Sequence, residues 1–130
     1  MADKLFTLEQ ALELLPVVRQ LLSEIQAKKR EVDEASQTLE GLLALSSGNG
    51  HLLTDVAKAR QTVEDTATEL RTLMSELEET GAELKGIEEG LIDFPTEREG
   101  RVVYLCWRMG EETISFWHEL DTGFPGRQPL

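Results

Sequence analysis

At 130 residues the chain is one domain with a modest core, and 40% apolar with 29% charged residues is the make-up of an ordinary globular protein in water. A net charge of −12, from 25 acids against 13 bases, argues against nucleic acid and anionic membranes as partners, because both are recognised through Lys and Arg. The longest apolar run, LLPVV at 14–18, falls far short of the roughly 20 residues of a membrane helix, and MADKLFTLEQAL has an acid at Asp3 and no apolar stretch before a cleavage site, so a cytoplasmic protein without a signal peptide is expected.

Thr7 and Gln10 have the spacing of a capping box, which predicts a helix from Leu8. Pro16 lacks an N–H and should kink that helix or open a second one. From there Val18, Ile25, Val32 and Leu39 recur every seven residues. Leu21, Ala35 and Leu42 fall three later, Lys28 is the polar exception, and Leu22 and Leu43 widen the stripe. The basic cluster Lys28, Lys29 and Arg30 lies beside Glu31, Asp33 and Glu34 and reads as a solvated helix face. SSGNG at 46–50 stops the helix. A second seam runs through Leu52, Val56, Ala59, Val63, Thr66, Leu70, Leu73 and Leu77 to a stop at Gly81. The short link between the two makes them antiparallel neighbours. Their wide stripe needs a further surface, which predicts a homodimer or other homo-oligomer through the helices.

After Gly81 the period changes. LIDFP, RVVYLCWR and TISFWHE are rich in β-branched and aromatic residues and are separated by the turns TEREG and MGEE, so they read as antiparallel strands. AELKG at 82–86 is either a further strand or a continuation of the heptads to Leu84 and Ile87. Gly81, Gly86 and Gly90 favour the strand. The expected fold class is therefore α+β: one domain over 1–130, with a coiled-coil-like helical hairpin at 8–80, its turn at 46–51, and a small C-terminal antiparallel β-meander with a tail at 82–130.

GLIDFP at 90–95, LCWRMGE at 105–111 and FWHELDTGFPGRQPL at 116–130, with LLP at 14–16 after a Thr-capped start, resemble the family known as domain of unknown function 2203. The resemblance covers nearly the whole chain. It implies a small cytosolic bacterial protein and transfers no functional residues.

The uncommon chemistry gathers in the last 27 residues, which hold both tryptophans, the only tyrosine and the only cysteine. His118 is the prime candidate ligand for a divalent transition metal, with Asp93, Glu119 or Asp121 beside it. Imidazole with carboxylates suits Zn, Mn or Fe, although no dense metal motif such as H-E-x-x-H is present. The plain alternative is a histidine that closes an apolar face. Cys106 is either a nucleophile with His118 as its base or a small buried core side chain. It cannot form an internal disulfide. Glu111 and Glu112 read as exposed turn acids, and His51 as a solvated loop residue. Asp93, inside an apolar strand, needs a partner, and Arg127 is expected to supply it as an ion pair that staples the tail over the sheet. Trp107 and Trp117 either line a ligand pocket or form the core of the sheet.

Strand geometry limits which groups meet. With Gly110 and Glu111 at the hairpin tip, Trp107 pairs near Ile114, Leu105 near Phe116 and Val103 near His118. A slip of one residue brings Tyr104 opposite His118 instead. No glycine-rich phosphate loop supports a nucleotide enzyme. The sequence points first to a non-enzymatic interaction or scaffold protein that self-associates through its helices, and second to a metal- or small-ligand-binding protein with its site around His118.

Overall fold

The computed structural model describes residues 4–46 and 52–130. Helix α1 (Leu8–Ser46) and helix α2 (Leu53–Glu79) pack side by side and lead into five strands. These are β1 (Glu83–Gly86), β2 (Leu91–Arg98), β3 (Arg101–Arg108), β4 (Phe116–His118) and β5 (Gln128–Pro129). The sheet order follows the chain, β1-β2-β3-β4-β5, and each neighbouring pair is antiparallel. This is the expected α+β class, with strand rather than helix after Gly81. Of the expected turn at 46–51, Ser46 ends α1 and residues 47–51 lie outside the described residues.

The start of α1 is the capping box in full: the Thr7 N–H donates to Gln10 Oε1 at 2.9 Å, and the Gln10 N–H donates to Thr7 Oγ1 at 3.1 Å. The helix then runs unbroken through Pro16. Of the two expected outcomes, a second helix does not open there. Pro16 is exposed, on the side of a helix where water substitutes most readily for a missing backbone bond. At 39 and 27 residues the helices are about 58 and 40 Å long at 1.5 Å per residue.

The two helices are buried unevenly. Ala11, Leu15, Val18, Leu22 and Ile25 of α1 lie in one continuous core with Leu77 of α2 and with Ile92, Phe94, Val103, Leu105, Trp107, Ile114 and Trp117 of the sheet end. Further out, Val32, Leu39, Leu42, Val63 and Leu70 are only half-buried. The first half of α1 thus serves as the floor of the sheet as well as a strand of the hairpin. Several bonds pin it there. The Phe6 N–H donates to the Pro95 carbonyl at 2.7 Å, Gln26 Nε2 donates to the Ile87 carbonyl at 2.9 Å, and the Phe6 ring meets Phe94 edge-on at 5.5 Å. The Arg19 guanidinium covers the Trp107 ring and donates to the carbonyls of Glu111 and Glu112.

β2 and β3 are joined at Glu99–Gly100, both with positive φ (53° and 79°). That pair of angles is what a two-residue hairpin turn compatible with strand twist requires, and it pairs Arg98 with Arg101. The link from β3 to β4 is longer than the tight MGEE turn. β4 begins only at Phe116, and its register is Tyr104↔His118, Leu105↔Trp117 and Cys106↔Phe116. The tight-tip register, with Leu105 opposite Phe116, is therefore replaced by the one-residue slip. Burial explains the choice. This register sets Trp117 beside Leu105 on the face that packs on α1, and the longer link folds Ile114 into the same core.

Candidate functional site

Alternation along the strands divides the sheet into two unlike faces. Ile92, Phe94, Val103, Leu105, Trp107 and Trp117 face the helices. The opposite face carries Asp93, Tyr104, Cys106, Phe116 and His118. The pairs Asp93↔Cys106, Tyr104↔His118 and Cys106↔Phe116 bring them together across three strands. The tail after His118 folds back over this face, through a 3-10 turn at Phe124–Gly126 into β5, which pairs with β4. As a result Asp93, Cys106 and His118 are at most 3% exposed although they lie on the side away from the helices.

Within this cover, His118 Nε2 lies 3.0 Å from each carboxylate oxygen of Asp93, and His118 Nδ1 lies 2.7 Å from the Glu119 carbonyl oxygen. A carbonyl only accepts, so Nδ1 carries a proton and donates it. The Nε2 position, facing the carboxylate, is then left for a proton or for a cation. One ligand atom from each of Asp93, Cys106 and His118 lies within 4.8 Å of the others. Tetrahedral coordination with Zn–N, Zn–O and Zn–S bonds of about 2.0–2.3 Å places such atoms about 3.4–3.6 Å apart. A metal therefore requires Nε2 and the carboxylate to part by a few tenths of an ångström and the wider spacings to close.

Electrostatics follow from the burial. Loss of water pushes the Asp93 carboxyl up from its ordinary range, while His118 pulls it back down. Burial, with the Asp93 charge adding to it, pushes the Cys106 thiol up to about 12, so without a metal it stays a thiol and is no activated nucleophile. His118 is also turned to Asp93 and the Glu119 carbonyl, which leaves it unsuited to act as a base for Cys106.

Of the four residues expected to ligate, the structure brings Asp93 and His118 together and leaves Glu119 and Asp121 outside. The Glu119 carboxylate is held by Arg101 at 2.6 and 3.1 Å, and only its backbone carbonyl reaches the cluster. Asp121 is exposed. Successive residues after a strand point different ways, and the pull of Arg101 settles the direction of Glu119. The third member is Cys106, weighed from sequence only as a nucleophile or core thiol. The signal that finds it is strand pairing: the β2–β3 register puts Asp93 opposite Cys106, and the slipped β3–β4 register puts His118 opposite Tyr104 on the same face.

The expected Asp93–Arg127 ion pair is also corrected. Asp93 is taken by His118, and Arg127 makes a bidentate pair with Glu111, with Nη1 at 3.1 Å from Oε1 and Nη2 at 3.0 Å from Oε2. Its guanidinium is held between the Phe116 and Phe124 rings, 4.0 and 4.3 Å from their centroids. The tail is stapled, but to the β3–β4 link. Glu111 is accordingly no ordinary turn acid, since it also accepts from the Arg108 N–H at 2.8 Å, while its carbonyl accepts from Trp107 Nε1 at 2.9 Å. Glu112 is exposed, and both tryptophans are core.

A cavity of about 120 Å³ opens on the cluster, walled by Lys85, Leu91, Tyr104, Leu120 and Phe124 besides Asp93, Cys106 and His118. Tyr104 donates to Glu83 Oε1 at 2.9 Å, Lys85 Nζ lies 3.0 Å from the same oxygen, and that ammonium also sits 4.6 Å from the Tyr104 ring centre. Larger grooves measure about 650 and 800 Å³; the second meets this cavity at Lys85 and Tyr104, and neither brings a histidine or cysteine to its wall.

Fold and cluster together define a small α+β protein with a buried polar site sealed beneath its own C-terminal tail. The chain belongs to the family described as Uncharacterized conserved protein (DUF2203), whose family model matches residues 4–130. No curated protein and no solved structure matches it. Among the described residues no helix is long and apolar enough to cross a membrane.

Proposed function

We propose that this protein binds a zinc-class divalent ion through His118 Nε2, the Asp93 carboxylate and Cys106 Sγ. The observation that carries the reading is the convergence of one imidazole, one carboxylate and one thiol, each buried, with the far ring nitrogen of the histidine already donating to a backbone carbonyl. That outward bond fixes the tautomer in which Nε2 is the ligand, the usual support for a metal-bound histidine. A thiol beside an imidazole suits Zn, Co or Fe and disfavours Mg and Ca, which take oxygen ligands. The ion would displace the proton from Cys106, so binding should release protons and strengthen with rising pH.

The test is titration of chelator-treated protein with Co²⁺. One ion per chain, a thiolate-to-cobalt charge-transfer band, and loss of both in Cys106→Ser and His118→Ala support the reading. Absence of stoichiometric binding by folded wild-type protein overturns it.

A second reading, compatible with the first, is that of an interaction or scaffold protein that self-associates through its helices. Its specific support is the outer hairpin, where Leu45 is 69% and Leu53 67% exposed beside a seam that is only half-buried. A heptad stripe is self-complementary in a two-fold pairing of identical chains, which would bury these leucines in a four-helix arrangement. Light scattering should give twice the chain mass at micromolar concentration, and a monomer there removes this reading.

A further inference from the structure

We infer that the metal centre takes a small carboxylate as an exogenous ligand at its fourth position, with Lys85 as the countercharge; this rests on the metal reading above. Three protein ligands leave one tetrahedral position open, the arrangement of sites that exchange a ligand rather than of purely structural ones. Asp93 and Cys106 lie on neighbouring strands and His118 on the next, so the open side is the cavity between the sheet and the tail.

The chemistry of that cavity selects the ligand. With a carboxylate, a thiolate and a neutral imidazole, a divalent ion is formally neutralised, so the centre itself does not repel an anion. Among the described residues the one cationic side chain in the wall is Lys85, on β1. Its Nζ bonds Glu83, and an ammonium has three protons, so donors remain for a second oxygen. Tyr104 donates to the same Glu83 oxygen that Lys85 bonds, which steadies the Glu83–Lys85 pair at the rim. On the tail side Leu120 and Phe124 offer an apolar wall. A space of about 120 Å³ holds a few non-hydrogen atoms, since a water molecule takes about 30 Å³ of liquid. Nucleotides and peptide chains are too large. A molecule the size of formate or acetate, with one oxygen on the metal, the other towards Lys85 and any methyl towards Leu120, satisfies charge, size and polarity together.

The experiment uses full-length Co²⁺-loaded protein titrated with sodium acetate at constant ionic strength. The expected result is a saturable change in the visible d–d bands with the thiolate band retained. Lys85→Gln should weaken acetate about tenfold and Lys85→Arg should restore it, while both variants bind Co²⁺ as wild type does. A cobalt spectrum with its thiolate band that acetate never alters overturns this inference and leaves the metal reading standing. Equal acetate affinity in wild type and Lys85→Gln overturns the role of Lys85. Failure of wild-type protein to bind Co²⁺ at all removes both readings.

Discussion

The two faces of the sheet are built from the same strands and each holds fully buried side chains, yet they differ in kind. The helix-side face is aliphatic and aromatic throughout, closed by the first half of α1. The tail-side face buries a carboxylate, an imidazole and a thiol under about ten residues of irregular chain. Apolar burial stabilises whatever lies beneath it, so the first face accounts for the fold. A buried ion pair contributes little net stability against apolar residues of similar volume. The second face is therefore an expensive arrangement for structure alone, and that difference is what supports the proposed site there.

The comparison can be broken most severely on the helix side. Trp107→Ala should cost about 4 kcal/mol in denaturant unfolding, because it empties the largest fully buried side chain of the core. A loss below about 1 kcal/mol would mean the sheet does not rest on α1 as described. On the tail side, His118→Ala should cost about 3 kcal/mol by stranding Asp93, whereas Asp93→Leu combined with His118→Leu should recover most of that loss. If the double variant is no more stable than the single one, the pair is structural and the contrast between the faces fails. Either way the double variant should bind no Co²⁺.

A smaller effect is expected at the staple. Arg127→Ala should lower stability by about 1–2 kcal/mol and speed the reaction of Cys106 with a thiol reagent, since it removes both Glu111 bonds and the packing between Phe116 and Phe124. An unchanged melting temperature and labelling rate would show that the tail closes without it. Smallest at neutral pH is the contribution of Cys106 ionisation in metal-free protein. The unfolded thiol ionises near 9 and the folded one near about 12, so its stabilising share is complete below pH 9 and is lost as pH rises towards 12. The denaturant midpoint of wild type should fall in that window more steeply than that of Cys106→Ser, and parallel curves would show the thiol to be open to water.

Much of the fold was legible because it rests on periodicity. The periodic stretches from Val18 to Leu42 and from Val56 to Leu77 are helical, the Thr7–Gln10 cap forms, and α2 ends before Gly81, all from local signals. Pro16 opens no second helix because an exposed helix turn tolerates proline better than propensity implies. The two-residue strand β5 gave no signal, since its pairing with β4 depends on where the tail is carried rather than on its own residues.

The site was legible in part. His118 and Asp93 stood out as polar groups in apolar strands, which follows from composition alone. Their being neighbours depended on a register, and a one-residue slip moves every side chain to the other face. That choice is made by the burial of Trp117 and Ile114 against α1, a tertiary event. The same packing turned Arg127 to Glu111 instead of Asp93 and drew Cys106 into the cluster. Sequence by itself thus determined the helices, the class of fold and which residues carry chemistry, because these depend on the order of residues along the chain. Only the tertiary structure decided which of them meet, because contact between strands depends on what the opposite face must bury.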